Sequence, residues 1–168
     1  IDIGKAGLYR YCDTPVFEIL LFAYAFDFGD VHVVDIASGD KIPDDVLDAL
    51  KNPNVIKHAY NAVFEITCLN KAGIETPAAQ WQCTMLHGMY LGYPAGLARL
   101  GDALGLPEDK KKMTVGKTLI KYFCVPCKPT KRNGNRSRNL PQHDPDKWEL
   151  FKEYNRMDVV TEMEDYKH

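Results

Sequence analysis

The chain has 168 residues, 45% of them hydrophobic and 26% charged, with a formal net charge of −2. That balance fits one globular domain spanning residues 1–168, long enough to bury a core without covalent staples. No apolar run approaches the roughly 18 residues a bilayer span needs, and no basic stretch followed by a long apolar one opens the chain, so the expected location is the cytoplasm or, in a eukaryote, the nucleus. The five cysteines (Cys12, Cys68, Cys83, Cys124 and Cys127) are odd in number and irregular in spacing, which argues against a secreted disulfide framework and for reduced thiols.

Leu20 to Asp27 and Val31 to Ala37 are apolar, aromatic or β-branched runs, and they predict two strands joined by a turn at Gly29-Asp30. Pro43 opens a short helix with Asp44 and Asp45 in its first turn and Val46, Leu47 and Leu50 as its apolar stripe. Val55 to Tyr60 predicts a further strand. Asn61 then stands at an N-cap position, a helix covers Ala62 to Lys71, and Gly73 ends it.

Helices are expected from Thr84 to Leu91, from Leu97 to Leu104 and from Thr114 to Phe123, with Tyr93-Pro94-Ala95-Gly96 as a breaker. Cys124 to Pro141, rich in Pro, Asn and Ser, predicts a long loop, either functional or disordered. Asp144-Pro145 starts a last helix that runs to about Tyr166. The order of strands and helices predicts a mixed α/β domain.

Charge is distributed unevenly. Ten of the 21 Lys and Arg residues lie between Lys110 and Arg138, a stretch without Asp or Glu. Lys110, Lys111 and Lys112 open it, and Lys128, Lys131, Arg132, Arg136 and Arg138 crowd its loop. Such a segment either contacts phosphates along a single strand or is a solvated loop.

Two short patterns carry the candidate chemistry. Asn61-Ala62-Val63-Phe64-Glu65 sits at a strand-to-helix transition, where open α/β sheets bind ligands. Tyr154-Asn155-Arg156-Met157-Asp158 lies on the last helix, where i and i+4 share a face. Carboxylates are the hard ligands that Mg²⁺ or Mn²⁺ requires, and a nearby phenol can orient an attacking water. Two such ions activate that water and stabilise the leaving oxygen in phosphodiester hydrolysis. Each pattern has a plainer counterpart: a packed core tyrosine with a surface acid, and a helix cap with a packed aromatic.

With these motifs the chain resembles the DEDD exonucleases of the Tyr-x-x-x-Asp subgroup, and more closely the 3′→5′ exonuclease domain of phage and bacterial A-family DNA polymerases. The resemblance extends over Gly7-Leu8-Tyr9-Arg10-Tyr11, Phe17 to Tyr24, Trp81-Gln82-Cys83-Thr84-Met85, Pro126-Cys127-Lys128-Pro129-Thr130 and His143-Asp144-Pro145 through Trp148. It implies a ribonuclease H-like mixed sheet flanked by helices, two Mg²⁺ or Mn²⁺ ions, and a single-stranded DNA 3′ end as substrate. It also implies a covalently linked polymerase domain and a bacterial or phage-infected cell as host. Asp158 is implied as a metal ligand, Tyr154 as the water-orienting phenol, and Glu65 as a carboxylate supporting the metals. Asn61 and Phe64 are implied to hold the terminal nucleotide.

Two departures stand out. The second motif ends in Glu65 where Asp is usual, which favours a role through water. The first motif, an Asp-x-Glu pair on the first catalytic strand, is absent, and Asp2 is followed at its second position by Gly4. The expectation is a segment truncated at both ends, with little or no nuclease activity as it stands. Two further readings remain: a single-strand-binding module that does not cut, and a spacer for a polymerase domain.

Other signals are weaker. Cys124-Val-Pro-Cys127 has zinc-like spacing without a second close pair, and ordinary loop cysteines are expected there. Gly116-Lys117-Thr118 resembles the end of a P-loop but lacks the upstream glycine. His58, His87 and His143 are expected in packing or surface roles.

Overall fold

The computed structural model describes residues 3–108 and 115–168. Lys110, Lys111, Lys112 and the expected helix start at Thr114 lie outside the described residues. Two short helices, α1 (Ile3–Ala6) and α2 (Leu8–Cys12), precede an antiparallel pair, β1 (Phe22–Tyr24) and β2 (His32–Val34). Helix α3 (Asp44–Lys51), strand β3 (Lys57–Ala59) and helix α4 (Ala62–Lys71) follow. Strand β4 (Trp81–Cys83) pairs in parallel with β3. Helices α5 (Thr84–Tyr90), α6 (Leu97–Ala103), α7 (Gly116–Cys124) and α8 (Pro145–Lys167) complete the order. The class is mixed α/β, built on two separate two-stranded sheets.

The strands are shorter than their apolar runs. Val31 to Ala37 shortens to β2 because a 3₁₀ turn takes Ile36–Ser38: Asp35 caps it, with Oδ1 accepting the Ser38 N–H at 3.1 Å. The turn between β1 and β2 is also not where Gly29-Asp30 suggested. The Gly29 N–H bonds the Phe26 carbonyl at 2.8 Å, and the two residues between, Asp27 (φ 49°) and Phe28 (φ 60°), take the left-handed conformation. A bulky residue there is strained by about a kcal/mol or more. The Phe28 ring has a compensating contact: it stacks on Tyr166 with centroids 5.6 Å apart and planes 21° apart.

Strand β4 was missing from the expected elements altogether. It is held by register with β3, Lys57 opposite Trp81 and Ala59 opposite Cys83, and by the Trp81 indole N–H donating to Thr76 Oγ1 at 2.9 Å.

Two apolar clusters form the core. One gathers Leu119 and Phe123 of α7 with Trp148, Phe151 and Tyr154 of α8, and Leu20 and Leu21 pack against it. The other gathers Val46 and Leu50 of α3 with Leu69 of α4, and Ile19, Phe22, Tyr24 and Trp81 pack against it. The segment from Ile19 to Tyr24 therefore joins both clusters. Helix α8 begins as its sequence requires: Asp144 Oδ1 accepts the Lys147 N–H at 3.1 Å and Pro145 takes the first helical position. Its Trp148 indole donates to Asp35 Oδ2 at 2.8 Å, fixing the helix against the end of β2.

The long loop from Cys124 to Pro141 is ordered by its own polar groups. Thr130 and Asn133 form a capping box around a 3₁₀ turn at Lys131–Asn133. The Cys127 N–H donates to the Ser137 carbonyl at 2.8 Å, and Asn139 Nδ2 to the Tyr122 carbonyl at 2.9 Å.

Candidate functional site

Strands β3 and β4 end side by side and feed α4 and α5. Tyr60 sets that junction. Its carbonyl accepts the Met85 N–H at 3.0 Å, and its phenol oxygen accepts the Gly96 N–H at 2.5 Å at the start of α6. Against this corner α8 lays a stripe that begins apolar and turns acidic. Trp148, Phe151, Tyr154 and Met157 are buried, and so are Thr161, Glu162 and Asp165.

Glu65, in the first turn of α4, has a buried Oε2 without a hydrogen-bond partner. Burial pushes its carboxyl up to about 7, and the charges of Glu162 and Asp158 add to the rise. The carboxylates that end the two motifs, on helices far apart in sequence, thus lie within electrostatic reach of one another. Asp158 itself is half-buried.

Glu162, one turn beyond Asp158, is buried, and its Oε1 accepts a 2.5 Å bond from Thr84 Oγ1 of α5. Burial raises its carboxyl too, with the Thr84 bond opposing. Asp165 follows and is raised to about 7, by burial first and then by Glu162. Glu162, Asp165 and Thr84 were missed in sequence. The signal was present: acids occupy the i+4 and i+7 positions from Asp158, on a stripe that apolar residues set further upstream.

The other expected site residues are placed as follows. Tyr154 is 6% exposed, with its ring in the α7–α8 cluster, stacked on Phe151 at 6.3 Å and 16°. Gly116 makes this possible, since a Cβ there would collide with the Tyr154 ring and come within 2.7 Å of its hydroxyl. Asn61 stands at the N-cap of α4 without a side-chain cap bond, and its carbonyl accepts the Phe64 N–H at 2.8 Å. Asn61 is exposed and Phe64 half-buried.

Of the basic loop residues, Lys128, Lys131 and Arg132 are exposed. Arg136 is turned inward, its Nε donating to Asn139 Oδ1 at 2.9 Å and a terminal nitrogen to the Asn133 carbonyl at 3.2 Å. Arg138 pairs with Glu18. The loop's five cations therefore divide: Arg136 and Arg138 are engaged by groups of this chain, Arg138 while still exposed, and Lys128, Lys131 and Arg132 are exposed.

All five cysteines are free. Cys127 Sγ donates to the Arg136 carbonyl at 3.4 Å, and burial pushes the Cys124 thiol up to about 11. His58 and His87 pack beside Tyr166, His58 at 4.4 Å between ring centroids.

Hard oxygen donors of the kind Mg²⁺ or Mn²⁺ prefers are present in Glu65 and Asp158. Their number falls short: among the described residues no three His, Cys, Asp or Glu side chains converge to hold a metal ion. The donor set fits part of a divalent-cation site, not a whole one.

The fold and its acidic corner define a mixed α/β segment with carboxylates gathered at strand ends. In sequence, the chain is 53% identical over 163 residues to the DNA polymerase of Bacillus phage SP02. The match takes in 96% of this chain and 25% of that polymerase, so the chain spans about a quarter of its relative's length. It is related to a segment of a DNA polymerase. No protein-family profile matches the chain, and no solved structure matches it. No helix among the described residues is long and apolar enough to cross a membrane.

Proposed function

We propose that the chain is the proofreading 3′→5′ exonuclease segment of a DNA polymerase, acting in DNA replication in a phage-infected or bacterial cell. The observation that carries this is the Glu65 carboxylate at the β3–α4 junction, whose buried Oε2 has no hydrogen-bond partner and which lies within electrostatic reach of Asp158, the acid of the other motif. The likeness to a phage polymerase supports it. So do the two short sheets: among the described residues β1 and β3 each have one neighbouring strand, leaving an edge at which a strand bearing an Asp-x-Glu pair would join them into a ribonuclease H-like sheet.

In this reading Glu65 and Asp158 hold Mg²⁺ or Mn²⁺, which supplies Lewis-acid stabilisation of charge at the phosphoryl oxygens when bound. Asp158 and Glu65 provide the negative charge that the ions neutralise. The stack on Phe151 and the space left by Gly116 fix Tyr154, and its phenol orients a water by hydrogen bonding. Asn61 and Phe64, at the carboxyl end of β3, position the terminal nucleotide. Lys128, Lys131 and Arg132 guide the single strand by its phosphates.

A second reading is favoured by the shortfall of ligands: the chain alone holds a single strand of DNA without cutting it. Hydrolysis of a 5′-labelled single-stranded oligonucleotide separates the two, with Mg²⁺, Mn²⁺ or EDTA present. It is run on this chain and on one preceded by an Asp-x-Glu strand. Metal-dependent trimming in the extended chain, abolished by Asp158→Ala, is expected. Absence of trimming in a folded extended chain leaves the binding reading.

A further inference from the structure

We propose that Cys12 and Cys68 are a modification site: they form a disulfide by exchange with a low-molecular-mass disulfide, and the reversible link clamps α2 onto α4. The two residues are 56 positions apart in sequence, and their sulfurs lie 3.7 Å apart. Both side chains are buried, Cys12 at 3% and Cys68 at 8% exposure. Bonded sulfurs stand about 2.05 Å apart, so a short approach of the two side chains joins them. A second contact holds the same two helices face to face. Lys71, the last residue of α4, places its Nζ 2.8 Å from Oδ1 of Asp13, the residue that ends α2.

The other thiols are placed differently. Cys83 Sγ donates to the Tyr60 carbonyl at 3.3 Å, and Cys127 Sγ to the Arg136 carbonyl at 3.4 Å. Cys124 lies within electrostatic reach of Tyr11, as Cys12 and Cys68 do. It is therefore the competing partner, and the test has to tell it apart from the other two.

The link forms in two exchanges. Helix α2 is five residues long, its N-cap Gly7 makes no side-chain bond, and Tyr9 and Arg10 are exposed. Neither apolar core cluster includes it, so it opens locally without disturbing them, and Cys12 comes out with it. The Cys12 thiolate attacks one sulfur of the small disulfide, whose S–S bond breaks and releases one small thiolate. On closing, the Cys68 thiolate attacks the Cys12 sulfur, the mixed S–S bond breaks, and the second small thiolate leaves. The protein pair loses two electrons to the oxidant, and the two protons it gives up return to the two departing thiolates. Burial pushes the Cys68 thiol up to about 12, so its thiolate is scarce near neutral pH. The second exchange is therefore slow: the pair stays reduced in a reducing cytosol and links under disulfide stress. Cys68 lies three residues beyond Glu65 on α4, so the link braces the helix that carries that carboxylate. Its formation does not depend on the nuclease reading above.

The test holds the folded chain with oxidised glutathione at about pH 8.5, quenches with acid, alkylates with N-ethylmaleimide and reads the mass before and after proteolysis. Loss of two of the five free thiols is expected, with no glutathione retained and a peptide pair joining Cys12 to Cys68. The linked chain should melt roughly 5–15 °C above the reduced one, and dithiothreitol should reverse the rise. Cys12→Ala and Cys68→Ala should each lose both the link and the rise. The peptide mapping needs no substitution, so it decides the matter even where a variant does not fold. Five unreacted thiols, a link that runs through Cys124 in place of either residue, or glutathione that stays on Cys12 beside a free Cys68 would overturn the site. Equal melting of the linked and reduced chains would overturn the clamp.

Discussion

At the scale of single residues, the acidic corner makes the chain's stability depend on pH in an unusual direction. Glu65 is raised to about 7 in the folded chain, far above an exposed glutamate. The folded state therefore binds this proton more tightly than the unfolded state does. Stability is fully present below the unfolded value, near 4, and is lost as pH rises through about 7. The loss is of order 1–3 kcal/mol. Glu65→Gln, which cannot ionise, should melt higher than the parent at about pH 8 and level with it at about pH 5. A difference that did not change with pH would disprove the burial argument. Mn²⁺ supplies a companion readout: at the higher pH it should raise the parent's midpoint and leave that of Glu65→Gln unmoved.

At the scale of elements, local chemistry decides what was legible. Helix α8 could be read from Asp144, Pro145 and its stripe, and the structure uses each as expected. Asp144→Ala should cost about 1 kcal/mol, a fall of roughly 2–4 °C in midpoint by calorimetry. The α7–α8 contact could not be read, because it depends on what is absent from Gly116: a side chain. Gly116→Ala would collide with the Tyr154 ring, and a loss of about 1–3 kcal/mol is expected in denaturant unfolding. Strand β4 escaped because three residues give too short a period, and its pairing with β3 is non-local. The turn at Asp27 and Phe28 escaped for the opposite reason. Its local signal pointed to Gly29, while a distant contact with Tyr166 holds Phe28 in its strained conformation. The motif acids Glu65 and Asp158 were legible by spacing, whereas Glu162 and Asp165 required knowing which face of α8 turns inward.

At the scale of the whole molecule, a net charge of −2 conceals an uneven distribution of charge, ten of the 21 Lys and Arg residues lying between Lys110 and Arg138. The acidic corner repels phosphates unless cations occupy it. The ordered loop presents Lys128, Lys131 and Arg132 outward while Arg136 and Arg138 are spent on Asn139 and Glu18. If the three exposed side chains each neutralise one phosphate of a single strand, counterion release gives a slope of about −0.7 per contact in a plot of log affinity against log salt. Replacing all three with alanine should then flatten that slope by about 2 and weaken binding most at low salt. Arg136→Ala should act differently: it loosens the loop by removing two internal hydrogen bonds, lowering stability with little change in slope. Fluorescence anisotropy of a labelled oligonucleotide across a salt series distinguishes these outcomes. A triple variant that kept the parent's slope would place the phosphate contacts on another face and leave this loop a structural one.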